Sequence, residues 1–337
     1  MYIEKEIKKS INLCDESGRL NEDSVGWSRK PLHRCNLRGN WPRKKQWNYW
    51  YVMNDDCFFS ATIAMLDYAA IIFIYYLDVN SLEFEEKTII SPLGQGTDMS
   101  ETVGETVRFS NDKNQVIFSK EDNYTRLIVE VDDFKGKNLR ANIKVFQPDN
   151  IDSINVVIPW SDRKFQFTSK QSSLPAQGKV TIGEKVYEFS PDNSFACLDF
   201  GRGIWPYKSE WNWASGTGLN NGVKIGLNFG AGWTEDTGIT ENGIIVDGRA
   251  EKINEDIRFN YNPADLMETW SLTTIETDRI SLKFEPIYHR VAKTNFFVIK
   301  SKMHQMIGYY SGKIKFQDQI INIDKLPGTT EEHQVRW

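Results

Sequence analysis

An eleven-residue segment occurs twice in this chain without a gap, and it constrains the fold more than any other feature. Residues 38–48 read RGNWPRKKQWN and residues 202–212 read RGIWPYKSEWN, so seven of the eleven positions are identical at an offset of 164 residues. Tryptophan makes up only 11 of the 337 residues, so two matched tryptophans in one window are not expected by chance. Because the offset is close to half the chain length, the repeat predicts a duplicated unit with two similar lobes.

Short runs of β-branched and aromatic residues predict strands in both halves of the chain. Residues 126–131 and 154–160 are examples from the first half, and residues 223–229 and 270–275 are examples from the second. Convincing helical patterns are few. Strands at this spacing predict an all-β protein, either a sandwich or a barrel.

The chain length suits two domains rather than one, because a single core seldom grows to this size. We predict an N-terminal arm at residues 1–30, a first lobe at 31–190 and a second lobe at 191–337. The boundary is placed at the turn-forming sequence Ser190-Pro191-Asp192-Asn193.

Charge and composition exclude several classes of function. The net charge is −5 without a basic stripe, which makes nucleic acid a poor candidate partner. Residues 1–10 lack the apolar core of a secretory signal. The most apolar run, residues 61–77, contains Asp67 and predicts two adjacent buried strands rather than a transmembrane segment.

The cysteines and histidines argue against a metal site. Four cysteines occur without a CxxC pair, which predicts reduced thiols and a cytoplasmic location. Four scattered histidines predict no metal. Nucleotide-binding motifs are absent from the sequence, so we predict that the protein uses no cofactor.

Each repeat contains a Gly-x-Trp tripeptide, Gly39-Asn40-Trp41 and Gly203-Ile204-Trp205. This tripeptide resembles the lipocalin hallmark at the start of the first strand. Together with longer matches, the chain resembles an uncharacterised bacterial family, domain of unknown function 2804 (DUF2804). The resemblance implies an all-β fold of two lipocalin-like (calycin) antiparallel β-barrel lobes related by internal duplication. The longer matches are residues 26–32 (GWSRKPL), 44–50 (KKQWNYW), 199–203 (DFGRG) and 211–214 (WNWA).

The wider relatives implied by this resemblance are two-lobed proteins similar to hydroxyneurosporene synthase, a carotenoid hydratase, and fungal decalin-forming cyclases. In the hydratase group the second lobe opens with Asp-His-x-Trp, whose His and Trp are taken to be catalytic. Here Asp199 matches, but Phe200 replaces the His and Arg202 replaces the Trp. The imidazole that would protonate an alkene is therefore missing, and the resemblance implies the fold rather than the activity.

The repeated residues are interpreted as scaffold. The lipocalin-like position of Trp41 and Trp205 implies that they close the barrel ends. Arg38 and Arg202 precede them by three residues and are expected to stack on the rings and cap backbone carbonyls, with anion binding as the alternative.

Acids that differ between the copies are better candidates for catalysis, because catalytic groups seldom occur in both copies of a repeat. Asp199 corresponds to Cys35 in the first copy, and Glu241 is the second candidate acid. A carboxyl group with a raised pKa in an aromatic pocket can donate a proton near pH 7. The alternative is that each acid pairs with Arg202 or caps a turn.

A second group of residues is predicted to bind a ligand. The tryptophans at 211 and 213 are assigned to opposite faces of one strand, one facing a barrel interior and the other facing the seam between the lobes. The asparagines have a second interpretation, as hydrogen-bond partners of the backbone. The predicted ligand-binding residues are Tyr207, Trp211, Asn212, Trp213, Asn48 and Trp50.

The last residues of the chain predict a docked end strand, since Trp337 follows Arg336 at the end of the sequence. His333 beside Glu332 is an acid–base pair only if this tail folds over a pocket. The alternative is an ordinary surface pair.

Three functional hypotheses follow. The first is a small-molecule pocket for an isoprenoid, polyketide or lipid-like ligand, with or without cofactor-free hydration, isomerisation or cyclisation. The second is a carbohydrate-active enzyme with Asp199 and Glu241 as paired acids and aromatic rings that stack on sugars. The third is a non-catalytic structural or binding module.

Overall fold

The computed structural model describes residues 3–296 and 299–337. Within these residues the regular structure is 25 strands and one short 3-10 helix, Glu22–Ser24. The strands up to residue 204 are β1 (Ile11–Asn12), β2 (Trp27–Ser28), β3 (His33–Arg34), β4 (Lys44–Met53), β5 (Cys57–Met65), β6 (Ala69–Asp78), β7 (Phe84–Pro92), β8 (Thr97–Asp98), β9 (Val107–Ser110), β10 (Asn114–Glu121), β11 (Tyr124–Phe134), β12 (Lys137–Phe146), β13 (Ile154–Ser161), β14 (Lys164–Ile182), β15 (Lys185–Phe189) and β16 (Phe195–Ile204). The remaining strands are β17 (Lys208–Asn220), β18 (Val223–Ala231), β19 (Gly243–Val246), β20 (Arg249–Lys252), β21 (Ile257–Asn260), β22 (Trp270–Thr274), β23 (Ile280–Phe296), β24 (Ile299–Phe316) and β25 (Gln319–Arg336).

Two large curled sheets form the two lobes. The first has the order β7-β6-β5-β4-β16-β14-β12-β11-β10-β9-β8, and the second has the order β20-β19-β18-β17-β25-β24-β23-β22-β21. Every strand pair in both sheets is antiparallel; among the described strands only β1 and β3 pair in parallel. The predicted all-β, two-lobed fold is confirmed.

The duplication is visible in the topology. β4 begins at residue 44 and β17 at residue 208, which reproduces the 164-residue offset of the sequence repeat. Each of these strands leads into an antiparallel meander, β4 to β7 and β17 to β20. On its other side each pairs with the last strand of its own lobe, β16 or β25.

The lobes divide later than the sequence predicted. β16 pairs with β4 and β14, so it belongs to the first sheet, and the chain changes sheet in the short link between β16 and β17. The predicted boundary at residue 190 therefore lies one strand too early. The turn residues there join two strands of the same sheet, and turn chemistry is the same within a lobe as between lobes. The N-terminal arm is not separate either, since Trp27 pairs with Val156 of β13.

The two sheets pack against each other along a seam. Alternation along β4 directs Asn48 and Trp50 into the first lobe, whereas Trp47 and Tyr49 face the seam. Along β17 the seam face carries Trp211 and Trp213. β4 and β17 thus each supply one face to their own lobe and the other face to the contact between the lobes.

The apolar run at residues 61–77 forms parts of β5 and β6, as predicted. Among the described residues, none of the helices has the length and apolar character that crossing a membrane requires.

Candidate functional site

A cavity of about 180 Å³ lies at the seam between the lobes. Its wall is mostly aromatic and apolar, with a few charged groups on one side. Both sheets contribute to it, so neither lobe alone contains the site. The aromatic lining is Trp47, Tyr49, Phe73, Trp205, Trp211, Trp213, Trp233, His333 and Trp337.

Trp205 lies at the centre of this wall. Its ring stacks on Trp233 with a centroid distance of 5.3 Å and an interplanar angle of 18°, and it also contacts Trp211 at 5.5 Å. Its Nε1 donates a hydrogen bond of 2.7 Å to Gln166 Oε1. Large rings fixed in this way form a rigid apolar surface.

A buried lysine bridges two acids from different lobes. Lys170 Nζ lies 3.0 Å from Asp199 Oδ1 and 3.1 Å from Glu241 Oε2. Burial disfavours the ammonium, but the two carboxylates outweigh it and raise the pKa of Lys170 above its ordinary value. The ammonium also lies 4.7 Å from the Trp213 ring centroid. Lys170 and Asp199 are paired residues of β14 and β16, so the sheet register fixes this geometry.

Glu241 reaches the site from the segment before β19. Trp233 Nε1 donates to its Oε1 at 2.6 Å, and Asn228 Nδ2 donates to its Oε2 at 3.3 Å. A Cβ at Gly230 would lie 2.0 Å from Glu241 Oε1, so the glycine leaves the space in which the carboxylate rests against the sheet. Glu241 is therefore rigidly held.

A third acid, Glu331, faces the cavity from β25. Trp211 Nε1 donates a hydrogen bond of 2.9 Å to Glu331 Oε1. Burial raises the pKa of Glu331 to about 7, and the hydrogen bond from Trp211 opposes this increase only in part. A carboxyl group of this kind can give or take a proton near neutral pH.

His333 lies two residues further along the same face of β25. Burial lowers its pKa to about 3, so the ring is neutral at pH 7. Its Nε2 lies 2.8 Å from Ser301 Oγ, and its ring centroid is 4.2 Å from that of Trp211. Alternation places Glu332 on the opposite face, where its Oε2 accepts a hydrogen bond from Tyr261. The tail is a docked strand as predicted, but His333 shares its face with Glu331 rather than forming a pair with Glu332.

Four of the residues predicted to catalyse or to bind the ligand line the cavity: Asp199, Glu241, Trp211 and Trp213. The two acids pair with Lys170 and not with Arg202. The assignment of the two tryptophans to opposite faces is wrong, because residues two apart on a strand share a face.

The other four predicted ligand-binding residues lie elsewhere. Tyr207 is an exposed residue between β16 and β17. Asn212 points away from the cavity and donates to the Glu331 carbonyl and to Tyr261. Asn48 accepts a hydrogen bond from Arg202, and Trp50 is buried in the first-lobe core. Asn48 and Trp50 do not line the cavity because side chains alternate along β4, and both residues lie on the face that points into the first lobe.

The two tryptophans that were predicted to close the barrel ends lie in different environments. Trp41 is 68% exposed and does not close a barrel, whereas Trp205 lines the seam cavity instead of a barrel end. Arg38 is exposed on the loop before β4. Arg202 is fully buried and donates to the carbonyls of Ser100, Trp47 and Gly201. Its guanidinium carbon lies 3.8 Å from the Phe200 ring centroid, not on a tryptophan.

Sequence reasoning missed Lys170 and Glu331. For Lys170 the available signal was its place in a mostly buried strand, where a charged residue must find a partner or shift its pKa. Glu331 carried no such signal, because β25 has many exposed residues. Trp233 and Trp337 were missed because no local pattern distinguishes a cavity tryptophan from a core one. Within residues 3–296 and 299–337, no cluster of three or more potential metal ligands occurs.

Residues 4–337 match the family described as Domain of unknown function (DUF2804). This protein belongs to the DUF2804 family. The match spans both lobes and nearly all of the N-terminal arm. No curated protein matches the sequence of this DUF2804 member.

Several solved structures resemble this DUF2804 protein at low sequence identity. A protein provisionally named AttH from Nitrosomonas europaea is 12% identical with a TM-score of 0.51, and the match covers 88% of this chain and 93% of that one. Its likeness concerns the fold. CghA with Sch210972 is 9% identical with a TM-score of 0.47, covering 88% and 89% of the two chains. Kievitone hydratase from Nectria haematococca is 11% identical with a TM-score of 0.45, also covering 88% and 89%.

Proposed function

We propose that the seam cavity binds a small apolar or partly polar molecule, of isoprenoid, polyketide or lipid-like character, and transforms it by cofactor-free acid–base chemistry. The observation that carries this proposal is the carboxyl group of Glu331, held by Trp211 inside an aromatic cavity. A mostly apolar enclosure with a few convergent polar groups is the usual form of a small-molecule site.

In the proposed chemistry, Glu331 transfers a proton to or from the bound molecule. Protonation of an alkene leaves a positive charge on carbon, and the indole faces of Trp211 and Trp213 would stabilise that charge by cation–π attraction. The nearby Asp199, Lys170 and Glu241 together carry two negative charges and one positive, which also favours a developing cation. In a hydration, water then adds to the cationic carbon and returns one proton to the carboxylate, so that the net reaction is the addition of water.

The carbohydrate hypothesis is less well supported by the geometry. Paired acids of a glycosidase need a scissile bond between them. Here the space between Asp199 and Glu241 holds the Lys170 ammonium, which lies within 3.1 Å of both carboxylates. The two acids are better suited to fixing Lys170 than to flanking a sugar.

The ligand-binding part of the proposal is tested by native mass spectrometry of the protein purified from its own host. Trp211→Ala removes a wall of the cavity, and Trp41→Ala is the matched control because Trp41 is exposed outside it. We expect the wild type and Trp41→Ala to retain a bound small molecule that Trp211→Ala loses. Equal retention in all three proteins would contradict the assignment of the site.

The catalytic part is tested with the molecule recovered in that experiment. Incubation in D2O should place deuterium on carbon in the presence of the wild type, and Glu331→Gln should slow this at least 100-fold. Glu130→Gln, an exposed acid of β11, is the control and should react as the wild type does. Unchanged exchange in Glu331→Gln would leave a binding protein without the proposed chemistry.

A further inference from the structure

Three neighbouring residues beside the seam cavity each have a buried donor group without a hydrogen-bond partner. The groups are Lys45 Nζ, Tyr68 Oη and Trp337 Nε1, and none has a partner among the described residues. Lys45 Nζ lies 4.9 Å from the Tyr68 ring centroid and 5.4 Å from the Trp337 ring centroid. The two rings make cation–π contacts with the ammonium, but they do not accept conventional hydrogen bonds from its N–H groups. Buried polar groups are nearly always hydrogen-bonded, so this cluster requires an explanation.

No acid neutralises Lys45. Its side chain is fully buried and forms no salt bridge with a described residue. The nearby Asp67 is engaged by its neighbour Lys44, with Lys44 Nζ 3.4 Å from Asp67 Oδ1. Arg43 adds a second positive charge close by. Burial, and then Arg43, lower the pKa of Lys45 to about 8, which still leaves the amine mostly charged at pH 7.

The cluster adjoins the cavity. Lys45, Trp47 and Tyr49 alternate along β4 and therefore share its seam face. Trp47 and Tyr49 line the cavity, and so does Trp337, which lies against the Lys45 ammonium. Lys45 thus lies beside the cavity, next to the part of its wall that Trp337 forms.

We propose that Lys45, Tyr68 and Trp337 form a subsite for a carboxylate group of the ligand whose apolar body occupies the seam cavity. The ammonium and the indole only donate and the phenol can donate, so the complementary group is one that only accepts. One positive charge and two neutral donors suit a monoanion better than a phosphate. The proposal rests on the ligand-binding half of the proposed function and narrows it to carboxylic acids.

The size of the cavity limits the acid. An engineered protein cavity of about 150 Å³ holds benzene, so the volume here suits a body of a single ring. Benzoic acid has that size, and benzyl alcohol is its uncharged counterpart with the same carbon skeleton. This pair isolates the contribution of the carboxylate.

The test measures the affinities of benzoate and benzyl alcohol at pH 7 by quenching of tryptophan fluorescence. We expect the wild type to bind benzoate at least tenfold more tightly than benzyl alcohol. Lys45→Met should abolish this preference while leaving the affinity for benzyl alcohol within about twofold, and Lys208→Met, which removes an exposed lysine, should keep it. Tyr68→Phe and Trp337→Phe each remove one donor and should reduce the preference severalfold, which provides a readout if Lys45→Met does not fold.

The outcomes separate the two proposals. Equal affinity of the wild type for benzoate and benzyl alcohol, or a preference that survives in Lys45→Met, would overturn the carboxylate subsite and leave the cavity as a ligand site. Binding of neither probe would overturn the subsite and count against the proposed function as well. Without ligand, Lys45→Met should melt at the same temperature as the wild type or higher, because it removes an unpaired buried charge.

Discussion

At the scale of single residues, equivalent positions of the repeat have acquired different roles. Trp41 and Trp205 occupy the same place in the two copies, yet the first is 68% exposed and the second 3%. Trp205 lies where β16 runs directly into β17, at the contact between the sheets. Trp41 lies on the loop before β4. The sequence identity of the two segments therefore reports common descent of the units and not a common environment.

Glu331 should make stability depend on pH. Its pKa rises from an ordinary value of 4.5 to about 7 on folding, so the folded state binds the proton more tightly than the unfolded state. Stability is therefore full below pH 4.5 and falls as the pH rises to 7, by about 3 kcal/mol for a shift of this size. His333 acts in the opposite sense, since its lowered pKa costs stability as the pH falls below 6.5.

Chemical unfolding of the wild type and Glu331→Gln at several pH values isolates the contribution of the acid. The variant should lack the loss between pH 4.5 and 7 while keeping the loss on acidification due to His333. Parallel curves for the two proteins would mean that the carboxyl group is not desolvated in the folded state.

At the scale of elements, two glycines of β16 allow the neighbouring strands β14 and β4 to approach it closely. A Cβ at Gly203 would lie 2.2 Å from the Phe165 carbonyl oxygen, and one at Gly201 would lie 2.2 Å from the Trp47 ring. These glycines allow β14 and β4 to pack tightly on either side of β16, which sets Asp199 opposite Lys170. The repeated glycine is thus a packing requirement in the second copy.

Gly203→Ala should therefore be far more damaging than its repeat counterpart Gly39→Ala. We expect a loss above about 3 kcal/mol for Gly203→Ala, because backbone atoms would have to move. At Gly39 no atom lies within 4 Å of the added Cβ, and only the positive φ of 62° opposes the change. That cost is about 1 kcal/mol. Urea unfolding of both variants decides the matter, and equal losses would contradict the packing argument.

At the scale of the whole molecule, polar and apolar contacts join the lobes into one unit. Arg290 of β23 makes two hydrogen bonds, of 2.8 and 2.9 Å, to the carboxylate of Glu86 on β7. Tyr51 of β4 lies 2.8 Å from Ser215 of β17 through their hydroxyls. Since the cavity is formed by both lobes, these contacts also hold the site together.

We expect a single cooperative transition in calorimetry rather than two. Arg290→Ala should lower the melting temperature markedly, because it leaves the Glu86 carboxylate without its partner at a cost of about 3 kcal/mol. Lys293→Ala, at an exposed position of the same strand, should melt as the wild type does. Two separate transitions in the wild type would show that the lobes fold independently.

The amino-acid sequence by itself determined the all-β class, the two-lobed duplication and four residues of the cavity. These follow from periodicity and repetition, which are local properties that the chain carries before it folds. Only the tertiary structure decided where the lobes divide, which face of β4 and β17 meets the seam, and which groups meet there. Lys170, Asp199, Glu241 and Glu331 come from four distant parts of the chain, and their proximity is set by strand register and by the packing of one sheet on the other. No short-range sequence pattern encodes the strand register or the sheet packing, because both depend on how the two sheets bury their apolar faces together.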